Sequence, residues 1–324
     1  VSEIKTIAQT IDLSIGYSQA GKVLCLFDKL NITLAAGELV CFMGPNGIGK
    51  TSLIRTLAGL QKPLGGNIHI PKEKAVALVL TDKITATHMS VYDLISYGRY
   101  PYLNWNISLS EKDQALINKS IALVHIEPLV NKKLYELSDG QLQMAMIAKA
   151  LTQDTPILFL DEPTAHLDLN NRVEIMNTLR ELSRTAGKAI LVATHELDLA
   201  LQTADRIWLA THDKKIKVGI PEDLVLDGSF DQVFQFKGFD LKTGKMHHKP
   251  YRNIAVNLTG EGHEYLWTKN ALERAGYQLE KKSPIGIIIK AAAGSLTWEI
   301  NSEGINKEFN SLAGLLDSLQ SLRH

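Results

Sequence analysis

Phe42-Met43-Gly44-Pro45-Asn46-Gly47-Ile48-Gly49-Lys50-Thr51 is an apolar run that ends in a glycine-rich turn and a Lys-Thr pair. It fits the pattern G-x-x-x-x-G-K-[ST] without a mismatch. Gly44, Gly47 and Gly49 permit backbone angles and close approaches that a Cβ blocks, so successive N–H groups can point into one anionic hollow. Lys50 then brings a positive charge to the β- and γ-phosphates of a nucleotide, and the Thr51 hydroxyl is a ligand for Mg²⁺. Pro45, Asn46 and Ile48 complete the loop, and Ser52 follows it. Leu53, Leu57 and Leu60 recur at helical spacing with Gly59 near the end, so the loop opens a helix whose N-terminus favours anions. The stretch reads as a nucleotide site.

Outward from the loop, alternation predicts strands around Ile11, Leu13 and Ile15, from Val23 to Phe27, at Ile32 and Leu34, and over Leu39–Met43. Tyr17 either offers a flat face to a base or is a half-buried strand aromatic; the residues alone leave both open. Beyond a turn at Pro63–Asn67 comes a short strand, Ala75–Leu80, and then a mainly helical insertion over about 85–151, broken at Gly98-Arg99-Tyr100-Pro101-Tyr102. That break is a partner surface or a packed corner, and the residues by themselves favour the corner. Leu137-Ser138-Asp139-Gly140-Gln141 opens an apolar helix. Ser138 with Gln141 has the form of a capping box, and Asp139 suits the positive end of the helix dipole, which accounts for these residues without any ligand.

Ile157–Leu160 is an apolar strand that delivers Asp161 and Glu162. A buried strand carrying an Asp to the mouth of a phosphate loop is a way to hold Mg²⁺, and the adjacent Glu is placed to orient or deprotonate water. A further strand, Ala189–Thr194, ends at His195. In an open sheet whose ligands bind beyond the carboxyl ends of the strands, His195 is a candidate contact to the γ-phosphate.

Composition sets outer bounds. The chain has 324 residues, enough for two domains, and a hydrophobic fraction of 45% that is ordinary for a globular protein. Thirty-five Lys and Arg balance 35 Asp and Glu, so no bulk basic field attracts nucleic acid or an anionic membrane. Cys25 and Cys41 are the two cysteines, which is no disulfide framework and suits a reducing compartment. No run approaches the roughly 18 apolar residues of a membrane helix, and the N-terminus has no apolar signal segment. The expectation is a cytoplasmic protein, peripheral on the inner face of the cell membrane through a partner.

The order Tyr17, phosphate loop, Leu-Ser-Asp-Gly-Gln, apolar strand with Asp161-Glu162, His166-Leu167-Asp168 and strand with His195 resembles the ATP-binding cassette (ABC) ATPases over about residues 5–225. Gly98-Arg99-Tyr100-Pro101-Tyr102 and Ala165-His166-Leu167-Asp168 look like the subunits that energise import of ferric siderophores, haem and cobalamin. The resemblance implies an α/β fold: a phosphate-loop core with a β-rich entry and a helical subdomain. It implies ATP and Mg²⁺ as cofactors, adenine stacked on Tyr17, phosphates on Gly44 to Ser52, Mg²⁺ on Thr51 and Asp161, and Glu162 acting on the attacking water. It implies a head-to-tail dimer with a second copy, in which Ser138, Asp139, Gly140 and Gln141 of one subunit complete the site of the other. Asp168 bridges the two copies and His195 touches the γ-phosphate. The partners are then integral membrane permease subunits and, indirectly, a periplasmic or surface solute-binding protein, with no nucleic acid.

Three positions depart from that pattern. Thr81, followed by Asp82, stands where the family usually has a Gln that contacts Mg²⁺ and water; Asp139 replaces a glycine of the signature; Met144 takes the place of a common Arg. The expectation for Asp139 is that it turns toward its own helix N-terminus. The rival readings are a soluble ABC-type clamp and a nucleotide-sensing switch. The first lacks a second cassette, a long coiled-coil insertion or basic tracts here, and Glu162 and His195 argue against the second.

From about 226 to 324 the pattern changes. A strand over Ile254–Leu258, a helix over Tyr265–Ala275, strands over Ile285–Ile289 and Leu296–Ile300, and a final amphipathic helix through Leu312, Leu315, Leu316 and Leu319 suit a small α+β domain with its own core. Dimer contact, effector sensing and docking of another protein are its three plausible uses, the first being the commonest.

Overall fold

Leu39–Met43, Ile157–Asp161 and Ala189–Ala193 are buried at every position, as a strand can be only where both faces of its sheet are covered. They are the centre of the first of two compact units, Val1–Gln235 and Phe236–His324. The computed structural model describes residues 5–19, 22–70, 75–80, 88–103, 108–237, 239–242, 244–246, 250–292, 295–302 and 305–321. Thr81 and Asp82 lie outside the described residues.

The first unit opens with β1 (Thr6–Gln19), β2 (Lys22–Leu30) and β3 (Thr33–Ala35), an antiparallel β-rich entry. β4 (Leu39–Met43) runs into the phosphate loop and α1 (Lys50–Leu57), β5 (Gly65–His69) returns to pair with β1, and β6 (Val76–Val79) follows. The helical subdomain comprises α2 (Val91–Ser96), a 3₁₀ segment over Tyr97–Tyr102, α3 (Glu111–Leu123) and α4 (Asp139–Leu151). Then come β7 (Ile157–Asp161), α5 (Leu169–Thr185), β8 (Ala189–Ala193), α6 (Leu197–Thr203), β9 (Arg206–Ala210) and β10 (Ile216–Gly219). The second sheet has six strands in the order β10-β9-β4-β8-β7-β6, parallel except where β10 meets β9. Phe42 packs between Phe27 and Trp208, with ring centroids 6.0 and 6.5 Å away, so the core joins the entry sheet to the parallel one. Cys41, between Val40 and Phe42, is fully buried on the other face of the sheet. Burial pushes its thiol up to about 12, so it acts as a small hydrophobe.

The 3₁₀ segment Tyr97–Tyr102, which contains the break at Gly98–Tyr102, has two sides. Arg99 is buried, with Nε donating to Asp113 at 2.8 Å and Nη1 donating to the Thr152 carbonyl at 2.8 Å, whereas Tyr97 and Tyr100 are exposed. It is therefore a packed corner that also presents two rings to solvent.

The unit continues past the end of the hairpin. α7 (Pro221–Leu226) and α8 (Ser229–Phe234) stay with it, so the division falls at Gln235, whereas the sequence pattern puts it near 225. Long-range bonds account for this: Lys217 donates to Asp227 and Ser229 at 2.6 Å, and His212 is bonded to the Val233 carbonyl.

The second unit begins with a short hairpin, β11 (Phe239–Asp240) and β12 (Lys245–Met246). β13 (Ala255–Thr259), α9 (Gly262–Arg274), β14 (Gln278–Leu279), β15 (Ile285–Ala292), β16 (Ser295–Ser302), β17 (Ile305–Phe309) and α10 (Leu312–Ser321) form an α+β layer. Its five-stranded sheet has the order β14-β13-β15-β16-β17 over a core that includes Val256, Leu272, Ile287, Trp298 and Leu315. Among the described residues no helix is long and apolar enough to cross a membrane.

Candidate functional site

Among the described residues the first turn of α1 has no side-chain cap and contains no acidic residue, whereas α2, α3, α4 and α5 are capped by Ser90, Ser110, Ser138 and Asp168. Uncapped donors at the end of a helix dipole are a seat for an anion. Gly49 caps the helix with a φ of 112°, and a Cβ there would stand 2.9 Å from Leu26 Cδ1. The loop thus turns tightly under the β1–β2 hairpin, which also carries Tyr17, opposite Leu24 and 44% exposed. Gly47, with a φ of 75° and open space around it, lies at the exposed crown with Asn46. Lys50 is buried, donates from Nζ to the Gly44 carbonyl at 3.2 Å, and lies 3.8 Å from Oε1 of Glu162. Thr51 is exposed in the first turn and Ser52 half-buried beside it.

Parallel pairing of β4 with β8 and of β8 with β7 brings the carboxyl ends of these strands together. Asp161 is buried at the end of β7, and its Oδ1 has no hydrogen-bond partner among the described residues. A buried carboxylate oxygen left unpaired costs free energy unless a cation or water meets it, so this atom fits a metal ligand. Glu162 follows in a left-handed backbone conformation, φ 51°, its N–H donating to the Ala193 carbonyl at 2.9 Å. His195 donates from Nδ1 to the Glu162 carboxylate. Lys50, Asp161, Glu162 and His195 are thus gathered at one sheet edge.

Ser138, Asp139, Gly140 and Gln141 form a second cluster. The Gln141 N–H donates to Ser138 Oγ at 3.3 Å, and the Ser138 N–H donates to Gln141 Oε1 at 3.2 Å, so the capping box is present. Gly140 is buried against α5, where a Cβ would stand 2.6 Å from the Asn171 side chain. Asn171 in turn donates to both carboxylate oxygens of Asp168, at 2.9 Å from its backbone and 2.8 Å from its side chain. Asp139 is exposed in the first turn of α4, and Met144 is a buried wall of the pocket between α4 and α5. α4 packs on α2, α3, α5 and β6, whereas α1 packs on β1, β7 and β8, so this cluster stands apart from the phosphate loop of the same chain.

Three contributors are not visible from motif reading: Asn171, Arg172 and Glu196. Arg172 donates from Nε to the Leu167 carbonyl at 2.6 Å and from Nη1 to both Glu196 oxygens at 2.8 and 2.9 Å. The available signal was a cation near the start of a helix, where the dipole disfavours it, which calls for a local acid.

A parallel sheet that carries a phosphate loop, an acidic strand end and a histidine to one edge defines a phosphate-loop nucleotide hydrolase. Residues 27–165 match the ABC transporter family, residues 253–320 match the iron ABC transporter C-terminal domain, and residues 131–202 also match an AAA domain family. An uncharacterised ABC transporter ATP-binding protein of Methanocaldococcus jannaschii is 33% identical over 78% of this chain and 92% of its own. A petrobactin import ATP-binding protein of Bacillus anthracis is 33% identical over 71% of this chain and 86% of its own. An inward-facing ABC transporter assigned to the metal-chelate type shares the fold, with a TM-score of 0.65 at 23% identity over 71% of this chain and 90% of that one. The chain belongs to the ATP-binding proteins of ABC transporters, the nucleotide-binding, ATP-hydrolysing subunits of those assemblies.

Proposed function

We propose that this chain drives uptake of an iron chelate, a ferric siderophore above all, or of haem or cobalamin, through a membrane permease. The observation that carries the hydrolytic part is the meeting of Lys50, Glu162 and His195 at the ends of adjacent strands. The solute class is supported by the match of residues 253–320 to an iron transporter domain and by the likeness to a petrobactin import protein.

In this reading the backbone of Gly44 to Ser52 and the Lys50 ammonium bind the phosphates, and Tyr17 stacks on adenine. Lys50 exchanges its bond to the Gly44 carbonyl for phosphate oxygens. Thr51 and Asp161 would hold Mg²⁺, which when bound neutralises charge on the phosphates. Glu162 orients the attacking water and takes its proton. His195 fixes the Glu162 carboxylate through Nδ1 and turns Nε2 to the γ-phosphate. The separation of the signature cluster from the loop within one chain supports a head-to-tail pair, in which Ser138 and Gly140 of a second copy close over ATP and Asp168 lies at the seam. Closure then depends on nucleotide and opening on its hydrolysis, which gives the permease a movement to use. The exposed Tyr97 and Tyr100 rings of the helical subdomain are the proposed permease contact. The protein then works on the cytoplasmic face of the membrane, and the solute-binding protein is reached only through the permease.

The test is reconstitution in vesicles with the permease that co-purifies with the chain, followed by uptake of iron-labelled chelates, haem and cobalamin. ATP-dependent accumulation of one of them is expected. ATP turnover with none of them transported overturns the solute reading.

A further inference from the structure

His195 lies between two carboxylates. Its Nδ1 donates to Glu162, and its Nε2 is 3.6 Å from Oε1 of Glu196, just beyond a normal hydrogen bond. Nε2 is the ring edge left for a phosphate oxygen, and it can donate there only when protonated. That is also the condition under which a free carboxylate beside it would capture it. Glu196 is not free. Arg172 Nη1 donates to Oε1 at 2.8 Å and to Oε2 at 2.9 Å, which occupies the carboxylate with a charge-assisted contact. The guanidinium is itself held by Nε on the Leu167 carbonyl, one residue before Asp168, and the pair is mostly shielded, with side-chain exposures of 32% and 18%.

We infer that Arg172 is a positioning residue that keeps Glu196 off the imidazole, so that Nε2 of His195 stays open to the γ-phosphate. This rests on the reading of His195 as a γ-phosphate contact. Removing the guanidinium leaves a half-buried carboxylate without its cation, and Nε2 of His195, 3.6 Å from Oε1, is a replacement donor. A captured ring turns away from phosphate, and turnover falls although the nucleotide still binds through the phosphate loop. The two-sided grip of Arg172 also ties this arrangement to the turn that presents Asp168.

The experiment is steady-state ATP hydrolysis by the full chain with Arg172→Met, Glu196→Ala, both together, and His195→Ala. Arg172→Met is expected to lower kcat about tenfold or more with KM for ATP within about twofold, and the double variant to return to within about threefold of Glu196→Ala. A purely structural Arg172 predicts no such rescue, because the double variant also lacks the bond to the Leu167 carbonyl. Arg172→Met with kcat within about twofold of the unsubstituted chain, or a double variant as slow as Arg172→Met, overturns the inference. If Arg172→Met does not accumulate folded, Arg172→Gln, which is polar and of similar reach but carries no charge to hold Glu196, takes its place with the same two criteria. His195→Ala with ordinary turnover removes the γ-phosphate reading itself; inactive His195→Ala beside a fully active Arg172→Met removes only the role of Arg172.

Discussion

The Lys50 ammonium stands 3.8 Å from a Glu162 carboxylate oxygen while it donates to the Gly44 carbonyl, so the cation proposed to bind phosphate rests between a carboxylate and a carbonyl oxygen. Glu162→Gln removes the carboxylate charge and, with it, the proposed proton acceptor. ATP binding should persist or tighten while single-turnover hydrolysis falls by a factor of about 100 or more. Turnover within a few-fold of the unsubstituted chain would show that Glu162 is not the base.

Gly140 is packed where a methyl group would overlap the Asn171 amide. Gly140→Ala should destabilise the chain by roughly 1–3 kcal/mol, measured by urea unfolding, through overpacking of α4 on α5. Combining it with Asn171→Ala should recover part of that loss because the added methyl then has room. Equal stability of the single and double variants would count against direct steric conflict.

Asp139 is exposed in the first turn of α4, where a carboxylate suits the helix dipole. Asp139→Gly should therefore leave the ATPase rate within a few-fold. A rise of well over an order of magnitude would mean that the carboxylate repels the γ-phosphate of the partner's nucleotide.

The Ser110 hydroxyl, aided by the Ser110 N–H and the Arg99 guanidinium, holds the Asp113 carboxyl below its ordinary range against the opposing effect of burial. A depressed carboxylate adds stability above its unfolded pKa, about 3.9, and loses it as pH falls through the lower folded value. Asp113→Asn should therefore be less stable than the unsubstituted chain at neutral pH, and the gap should narrow as denaturation is followed down through pH 4 and below. Arg99→Ala, which removes one partner of Asp113 but leaves its bonds to Ser110, should cost roughly 1–3 kcal/mol. A gap that does not change with pH would assign the effect to packing.

The phosphate loop, the three buried strands, the acidic strand end and the Ser138–Gln141 capping box are legible in the sequence because each is specified within a few neighbouring residues. α8 and the end of the first unit are not, since Lys217 to Asp227 and His212 to Val233 are contacts between separate elements. β14 is a two-residue strand, and β17 presents the polar exposed residues Asn306, Lys307 and Glu308; both are strands through pairing with β13 and β16 and not through their own pattern. At the site, Asp161, Glu162 and His195 could be named from strand ends. The Arg172–Glu196 pair joins positions 24 apart, and only the fold makes them neighbours.

The left-handed backbone at Glu162 narrows the evolutionary choices at that position. Branched residues such as valine are disfavoured there before any chemistry is considered, while glycine, asparagine and aspartate are accepted with little strain. A mutational route away from glutamate thus leads first to side chains that preserve the turn but shorten or remove the carboxylate. With Glu162 as the proposed base, replacements tolerated by this backbone are expected to keep the architecture and nucleotide binding while losing turnover.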